Sequence, residues 1–282
     1  MPTPHRATVT ASPWPGIHAT QIDSGRHFRR HAHATFGIGW LAQGAQVSAS
    51  GQGRVEAFAG DLITTNPGEV HDGQPLGGAS RRWQMLYFDA SAFAQATGQA
   101  AGAIALPQPV VRDRRLALVF RRLLQRVAAW QARADATVGG DADRLACDEA
   151  LVAACTLLSV AQPAAPDAAA RQPSDAMVQV HARLGDDPLQ APSLAALAAM
   201  AGLSRFQLLR HFEAAYGLTP HAWLLQRRTE AARQRIACGD ALADAAAAAG
   251  FADQSHMTRR FAQQFGYTPG DWQKAAAPRS PR

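Results

Sequence analysis

Gly250-Phe251-Ala252-Asp253-Gln254-Ser255-His256-Met257-Thr258-Arg259-Arg260-Phe261, resuming as Phe265-Gly266-Tyr267-Thr268-Pro269, is the stretch that decides how this chain is read. At an offset of 49 residues, Phe212, Gly217, Thr219, Pro220 and Trp223 fall on Phe261, Gly266, Thr268, Pro269 and Trp272. Five identities in twelve positions mark an internal duplication. Upstream of each copy an alanine-rich helix runs into a glycine, Leu194 to Ala201 before Gly202 and Ala241 to Ala249 before Gly250. Small alanines let a second helix approach closely, and the glycine tolerates the positive φ of a sharp turn. The pattern predicts a helix-turn-helix that occurs twice.

In the second helix of each unit, Leu208 with Phe212 and Met257 with Phe261 are spaced i,i+4 and share a core-facing side. The opposite side then holds Arg205, Phe206, Leu209 and Arg210 in the first copy, and Gln254, Ser255, Thr258 and Arg259 in the second. Arginine can pair with guanine, glutamine with adenine, and an apolar group can cover a thymine methyl. These eight are the candidate base-contacting residues; the competing account of one isolated unit is an ordinary solvated helix face. Two units joined by a long helix, Pro220 to Cys238, are expected to place their second helices one duplex turn, roughly 34 Å, apart. Arg227, Arg228, Arg233 and Arg235 on that helix either touch phosphates or form a solvated face.

Residues from Ser193-Leu194 through Trp272 closely resemble the DNA-binding domain of the arabinose-regulator (AraC/XylS) family of bacterial transcription regulators. The quoted stretch from Gly250 to Pro269 matches that family's signature almost position by position. The resemblance implies base-contacting roles at the eight outward positions, although Phe206 and Leu209 are apolar where the family often has polar residues. It also implies a cupin-like sensor ahead of the DNA-binding part, and activation rather than repression, with RNA polymerase as a partner.

The N-terminal part fits that expectation. From about Ile17 to Phe88, short apolar segments alternate with glycine-containing turns: Phe36 to Leu41, Gln46 to Ala49, Val55 to Phe58, Asp61 to Thr65 and Trp83 to Phe88. This predicts a small antiparallel β-structure. Arg29-Arg30-His31-Ala32-His33 and Gly60 through His71 look like the two motifs of a cupin barrel, in which both segments face one cavity. Many cupins add a glutamate from the first motif to bind metal, but here Ala34-Thr35-Phe36-Gly37 follows with no acidic residue. The expectation is an organic-effector pocket built from Arg29, His31, His33, Glu69 and His71, with no metal and no cofactor. A metal site and histidines that merely satisfy local hydrogen bonds stay open as alternatives.

Beyond Pro109, Leu116, Val119, Phe120, Leu123, Leu124 and Val127 recur at helical steps, and a second helix is expected from about Ala142 to Val160. The two helices pack either on the β-structure or on a second copy of the chain, giving a homodimer. The proline- and alanine-rich segment 162–173 lacks periodicity and is expected to be a linker. The expected organisation is therefore α+β: a cupin-like sensor over 1–161, the linker, and an all-α double helix-turn-helix domain over 174–282.

The chain has 282 residues, a formal net charge of +6 and a pI near 10.0, with Lys274 as its single lysine. Arginine-borne charge suits a polyanionic partner but is weak evidence alone. Cys147, Cys155 and Cys238 show no paired spacing and are expected to be small buried side chains in a reducing compartment. Neither a signal-length apolar stretch near the N-terminus nor a membrane-length run is visible, so a cytoplasmic protein without membrane contact is expected. No nucleophile motif or phosphate-binding glycine loop occurs, and no catalytic residue is assigned. The competing functions are a metal-dependent cupin enzyme using His31, His33 and His71, and a DNA binder that senses nothing.

Overall fold

The computed structural model describes residues 5–50, 53–99, 105–135, 141–161 and 173–277. Among these, two compact units form, 5–29 with 33–161 and 30–32 with 173–277. The expected linker lies outside the described residues except for Pro173.

The first unit is built on strands β1 (His5–Ala11), β2 (Ile17–Ser24), β3 (Phe28–His31), β4 (Phe36–Gln43), β5 (Ala45–Ser50), β6 (Gly53–Phe58), β7 (Leu62–Thr65), β8 (His71–Pro75) and β9 (Arg81–Phe88). After helix α1 (Ala90–Thr97) comes the short strand β10 (Val110–Val111), then the long helices α2 (Arg114–Asp135) and α3 (Asp141–Ala161). The strands form a six-stranded sheet in the order β1-β2-β9-β4-β7-β10 and a four-stranded sheet in the order β3-β8-β5-β6. The barrel expected from the cupin-like motifs is realised as these two separate sheets rather than as one closed cylinder. His31 closes β3 and so belongs to the four-stranded sheet beside β8.

Strands β2, β4 and β9 of the six-stranded sheet bury residues on both faces, which is why they are apolar at adjacent as well as alternate positions. Ile17 of β2, Phe36 and Ile38 of β4, and Leu86 and Phe88 of β9 pack with Phe93 of α1, Phe120 and Leu123 of α2, and Leu151 and Leu158 of α3. The opposite set, Ile22, Leu41, Trp83 and Met85, packs with Ala57 of the four-stranded sheet. Helices α2 and α3 therefore rest on the sheet of their own chain.

The second unit is all helical among its described residues from Pro173 onward: α4 (Asp175–Asp186), α5 (Leu194–Met200), α6 (Arg205–Tyr216), α7 (Pro220–Ala237), α8 (Leu242–Ala248), α9 (Gln254–Phe265) and α10 (Pro269–Ala276). Met177, Val180 and Leu184 of α4 join Leu197 of α5 and Leu208 and Phe212 of α6 in one core. The starts of the helices are written locally. Ser193, Ser204, Thr219, Asp253 and Thr268 each accept a hydrogen bond from a first-turn amide. Ser204 with Gln207 and Thr268 with Asp271 complete capping boxes.

On α7, Glu230 and Arg233 form a buried ion pair, with Arg233 Nη2 2.7 Å and Nε 2.8 Å from Glu230 Oε1. The guanidinium lies over Trp272, 5.0 Å from its centroid, and Trp272 Nε1 donates to Arg233 O at 2.8 Å. A buried pair is costly to form, and removing one member is worse, because the other charge is left without its counter-ion. Glu230→Ala is therefore expected to lower the unfolding free energy in urea by about 3–5 kcal/mol, whereas Glu230→Leu with Arg233→Met recovers most of that loss. Equal stability of the single and double variants would show that the pair carries no such energy.

Candidate nucleic-acid interface and sensor interior

Ser204 and Asp253, 49 residues apart, cap α6 and α9, so the two helices begin at equivalent positions. Arg205 and Gln254 are each first in their helix, Phe206 and Ser255 second, Leu209 and Thr258 fifth, Arg210 and Arg259 sixth. Arg205, Phe206 and Arg210 are exposed and Leu209 is half-buried; Gln254, Ser255 and Arg259 are exposed and Thr258 is half-buried. Phe206 is 71% exposed, an unusual state for a large aromatic side chain. On the reverse side Leu208, Phe212, Met257 and Phe261 are all fully buried. The structure thus brings the eight sequence-selected side chains to the outer faces of two matched helices.

The turns that aim these helices share one device. Gly202 and Gly250 adopt positive φ of 65° and 77°. The following amides, Leu203 N and Phe251 N, donate to Ala198 O and Ala246 O at 2.9 and 3.0 Å, closing the alanine helices α5 and α8. The second turn is one residue longer, with Ala252 between Phe251 and the cap Asp253. A Cβ at Gly202 would meet nothing within 4 Å, whereas at Gly250 it would lie 2.9 Å from Leu189 Cδ2 and 3.2 Å from Arg228 Cζ.

Of the four arginines of α7 read as touching phosphates or forming a solvated face, Arg228 and Arg233 do neither. Arg228 Nε donates to Pro188 O and Nη1 to Gly250 O, both at 2.8 Å. Arg233 is buried on Glu230. Both are committed to the fold because their backbone and carboxylate partners lie within the unit. Arg235 pairs with Asp240 at 2.7 Å, and Arg227 sits exposed over Trp223. Cys147 and Cys155 are buried as expected, but Cys238 is exposed at the end of α7, where the chain turns.

In the first unit, His33 is buried and His71 half-buried, while His31, at the end of β3, is itself buried. The His33 ring centroid is 5.2 Å from that of His71 and 5.5 Å from that of Tyr87, and His18 stacks on Tyr87 at 5.1 Å. His71 Nδ1 lies 2.9 Å from Glu69 O. A carbonyl can only accept, so Nδ1 carries the proton and Nε2 keeps its lone pair in the neutral ring. Burial lowers the His71 pKa and pushes that of Tyr87 up to about 12. Thr65 Oγ1 is buried without a hydrogen-bond partner among the described residues.

Two other sequence-selected residues are placed elsewhere. Arg29 is exposed. Glu69 Oε2 accepts from Asn66 N at 3.0 Å and Asn66 Nδ2 at 2.8 Å, which ties its carboxylate to its own turn. The interior residues that the sequence reading missed, His18, Tyr87 and Thr65, lie on β2, β9 and β7, outside the two histidine motifs. Their signal was strand alternation: His18 and Tyr87 share the face of Ile22 and Met85.

The chain belongs to the AraC family: residues 15–154 match the AraC-like ligand binding domain and residues 197–275 a helix-turn-helix domain. It is similar to the transcriptional activator NphR of a Rhodococcus species, with 42% identity over 86 residues, 30% of this chain and 25% of that protein. It is also similar to the regulator ExsA of Pseudomonas aeruginosa, with 39% identity over 69 residues, 24% of each chain. These matches span about a quarter of the relatives' length. Unsaturated fatty acid-bound ToxT from Vibrio cholerae shares the fold at a TM-score of 0.50 and 12% identity, over 95% of this chain and 94% of that one. No helix among the described residues is long and apolar enough to cross a membrane.

Two outcomes follow from this geometry. Gly202→Ala is expected to cost about 1 kcal/mol, the penalty of left-handed backbone alone, and Gly250→Ala clearly more because its Cβ also displaces Leu189 and Arg228. Equal urea midpoints for the two variants would contradict the crowding at Gly250. His181 stacks on Tyr216 at 4.3 Å, and burial, with Arg227 second, lowers its pKa. A depressed histidine pKa means that the unfolded chain binds the proton first, so stability present above about pH 6.5 declines as pH falls through the folded value. Unfolding midpoints taken between pH 8 and pH 5 should fall less in His181→Asn than in the parent chain; parallel profiles would remove His181 as a cause.

Proposed function

We propose that this protein is a sequence-specific DNA-binding transcription regulator, an activator, whose double helix-turn-helix reads promoter DNA under the control of a small effector held between the sheets of the N-terminal unit. The observation that carries this reading is the equivalence of α6 and α9, which turn outward Arg205, Phe206, Leu209 and Arg210 on one helix and Gln254, Ser255, Thr258 and Arg259 on the other at the same four helical positions. Two such helices enter consecutive major-groove segments, with their N-terminal residues meeting base edges. Arg205, Arg210, Gln254, Ser255 and Thr258 offer hydrogen bonds, Phe206 and Leu209 cover thymine methyls, and Arg259 pairs with guanine. The named relatives are regulators, which points away from catalysis.

The effector site centres on His33 and His71 with Tyr87 beside them. Control follows if effector binding favours the arrangement that fits the promoter. Leu145, Val152 and Val160 stand exposed along α3 at seven- and eight-residue steps, a stripe that suits a second copy of the chain. The regulator works as a cytoplasmic homodimer that engages RNA polymerase at the promoter.

The test is a selection of bound fragments with the full chain, followed by titration of the selected site. Arg259→Ala is expected to weaken binding there by about 1–3 kcal/mol and to relax preference at one base pair. Equal weakening on random duplex would assign Arg259 to phosphate, and no salt-sensitive affinity for any duplex would overturn the function.

A further inference from the structure

We propose that the N-terminal unit binds a small monocarboxylate through the buried guanidinium of Arg81. The inference rests on the effector reading above, to which it gives a chemical class and an anchoring residue. Arg81 is 2% exposed, yet none of its partners is a carboxylate. Nε donates to Gln46 Oε1 at 3.1 Å, and Nη1 donates to Ser24 O at 3.2 Å and Arg26 O at 3.1 Å. All three acceptors are neutral. The third nitrogen, Nη2, makes no hydrogen bond among the described residues. A buried cation met only by neutral acceptors favours an anion from outside the chain, because pairing recovers part of the cost of desolvation.

The room in front of Nη2 is left by a glycine. A Cβ built on Gly73 of β8 lies 3.3 Å from Nη2 and within 4 Å of no other heavy atom beyond its chain neighbours. Gly73 is buried, and its backbone lies outside the left-handed region, so the chain path does not demand glycine there. What the missing side chain supplies is space beside a guanidinium nitrogen. A carboxylate oxygen, which approaches arginine to about 2.8 Å, fits where a methyl group is crowded. The buried side chain of Gln46 uses only its oxygen on Arg81, and its Nε2 is a further donor that bonds to no described residue.

The charge and the free donors select the class of anion. With Nε and Nη1 committed, the two-pronged grip that arginine offers to phosphate is not available. One nitrogen and one positive charge match a monoanion held through a single oxygen. Trp83 and Phe28 lie against the guanidinium, 4.7 and 5.7 Å from its carbon, so the ligand approaches by the Nη2 edge. His71 stands two residues before Gly73 on the same side of β8, about 7 Å along the strand, and its ring neighbours that of His33. A carboxylate at Arg81 thus leaves the short body of the ligand directed along β8 to the two imidazoles and Tyr87.

The experiment follows thermal unfolding of the full chain in sodium acetate, butyrate and benzoate, each against its neutral amide and against inorganic phosphate at equal ionic strength. Gly73→Ala fills the space without removing any bond that Arg81 makes inside the fold, and Arg81→Gln removes the charge. At least one carboxylate is expected to raise the midpoint of the parent while its amide does not. Its affinity by calorimetry is expected to fall by more than about tenfold in Gly73→Ala, and equally in Arg81→Gln if that variant folds. Stabilisation by no carboxylate, equal stabilisation by amide or phosphate, or undiminished affinity in Gly73→Ala overturns the proposal. Affinity for the selected duplex, measured with and without the carboxylate, separates the two readings. A bound carboxylate that leaves duplex affinity unchanged refutes effector control but not the site, and a chain that binds duplex and no carboxylate loses the site alone.

Discussion

What α6 and α9 each expose is set by what each buries on its other side. Phe212 and Phe261, fully excluded from solvent together with Leu208 and Met257, lock the rotation of α6 and α9 about their axes. A helix turned by one residue swings its side chains through about 100°, which would bury an arginine and expose a phenylalanine. The capping residues Ser204 and Asp253 fix the axial start of the same helices, and the left-handed glycines fix their approach. Three local constraints thus determine which side chains reach outward, and the duplication imposes all three twice.

The basic charge of the chain does not map directly onto a DNA footprint. Arg228 and Arg233, on the helix that joins the two units, are consumed in holding backbone carbonyls and a buried carboxylate. Arginine is suited to this because its planar fork serves several acceptors from one anchor point. Of the exposed arginines on α6 and α9, Arg205 opens its helix, where first-turn amides and the helix dipole already favour negative charge, and Arg210 and Arg259 stand at the sixth position of theirs. Net charge overstates the electrostatic term, and position decides it.

The second unit was legible almost throughout, because helical period, alanine packing, glycine turns and capping residues are local signals that the tertiary structure did not override. The first unit was legible in part. Strands β4 to β7 and β9 followed the apolar segments, but β1, His5–Ala11, alternates weakly and owes its place to pairing with β2 along its whole length. Helix α1 is too short for periodicity to declare itself. The histidines were found by their motifs, whereas Glu69 looked equivalent in sequence and is not, since a three-residue turn captures its carboxylate. Non-local pairing and competing local hydrogen bonds are the terms that a single sequence does not display.

The interior between the sheets divides its work. At one part of it Arg81, almost wholly buried, donates to Ser24 O, Arg26 O and Gln46 Oε1 and lies 4.7 Å from the Trp83 ring centroid. No carboxylate is among those acceptors, and burial draws its pKa down to about 10. Such a group is expensive, yet it fastens β9 to β5 and to the β2–β3 turn where backbone hydrogen bonds between the two sheets are not made. Ile22, Leu41, Trp83 and Met85 add the apolar contribution there. Tyr87 packs at the margin of that cluster, and the Thr65 hydroxyl, unpaired among the described residues, adds a buried polar atom to the interior. Polar groups buried at a net cost persist where they do something other than stabilise, and the apolar packing of Ile22, Leu41, Trp83 and Met85 offsets part of that cost.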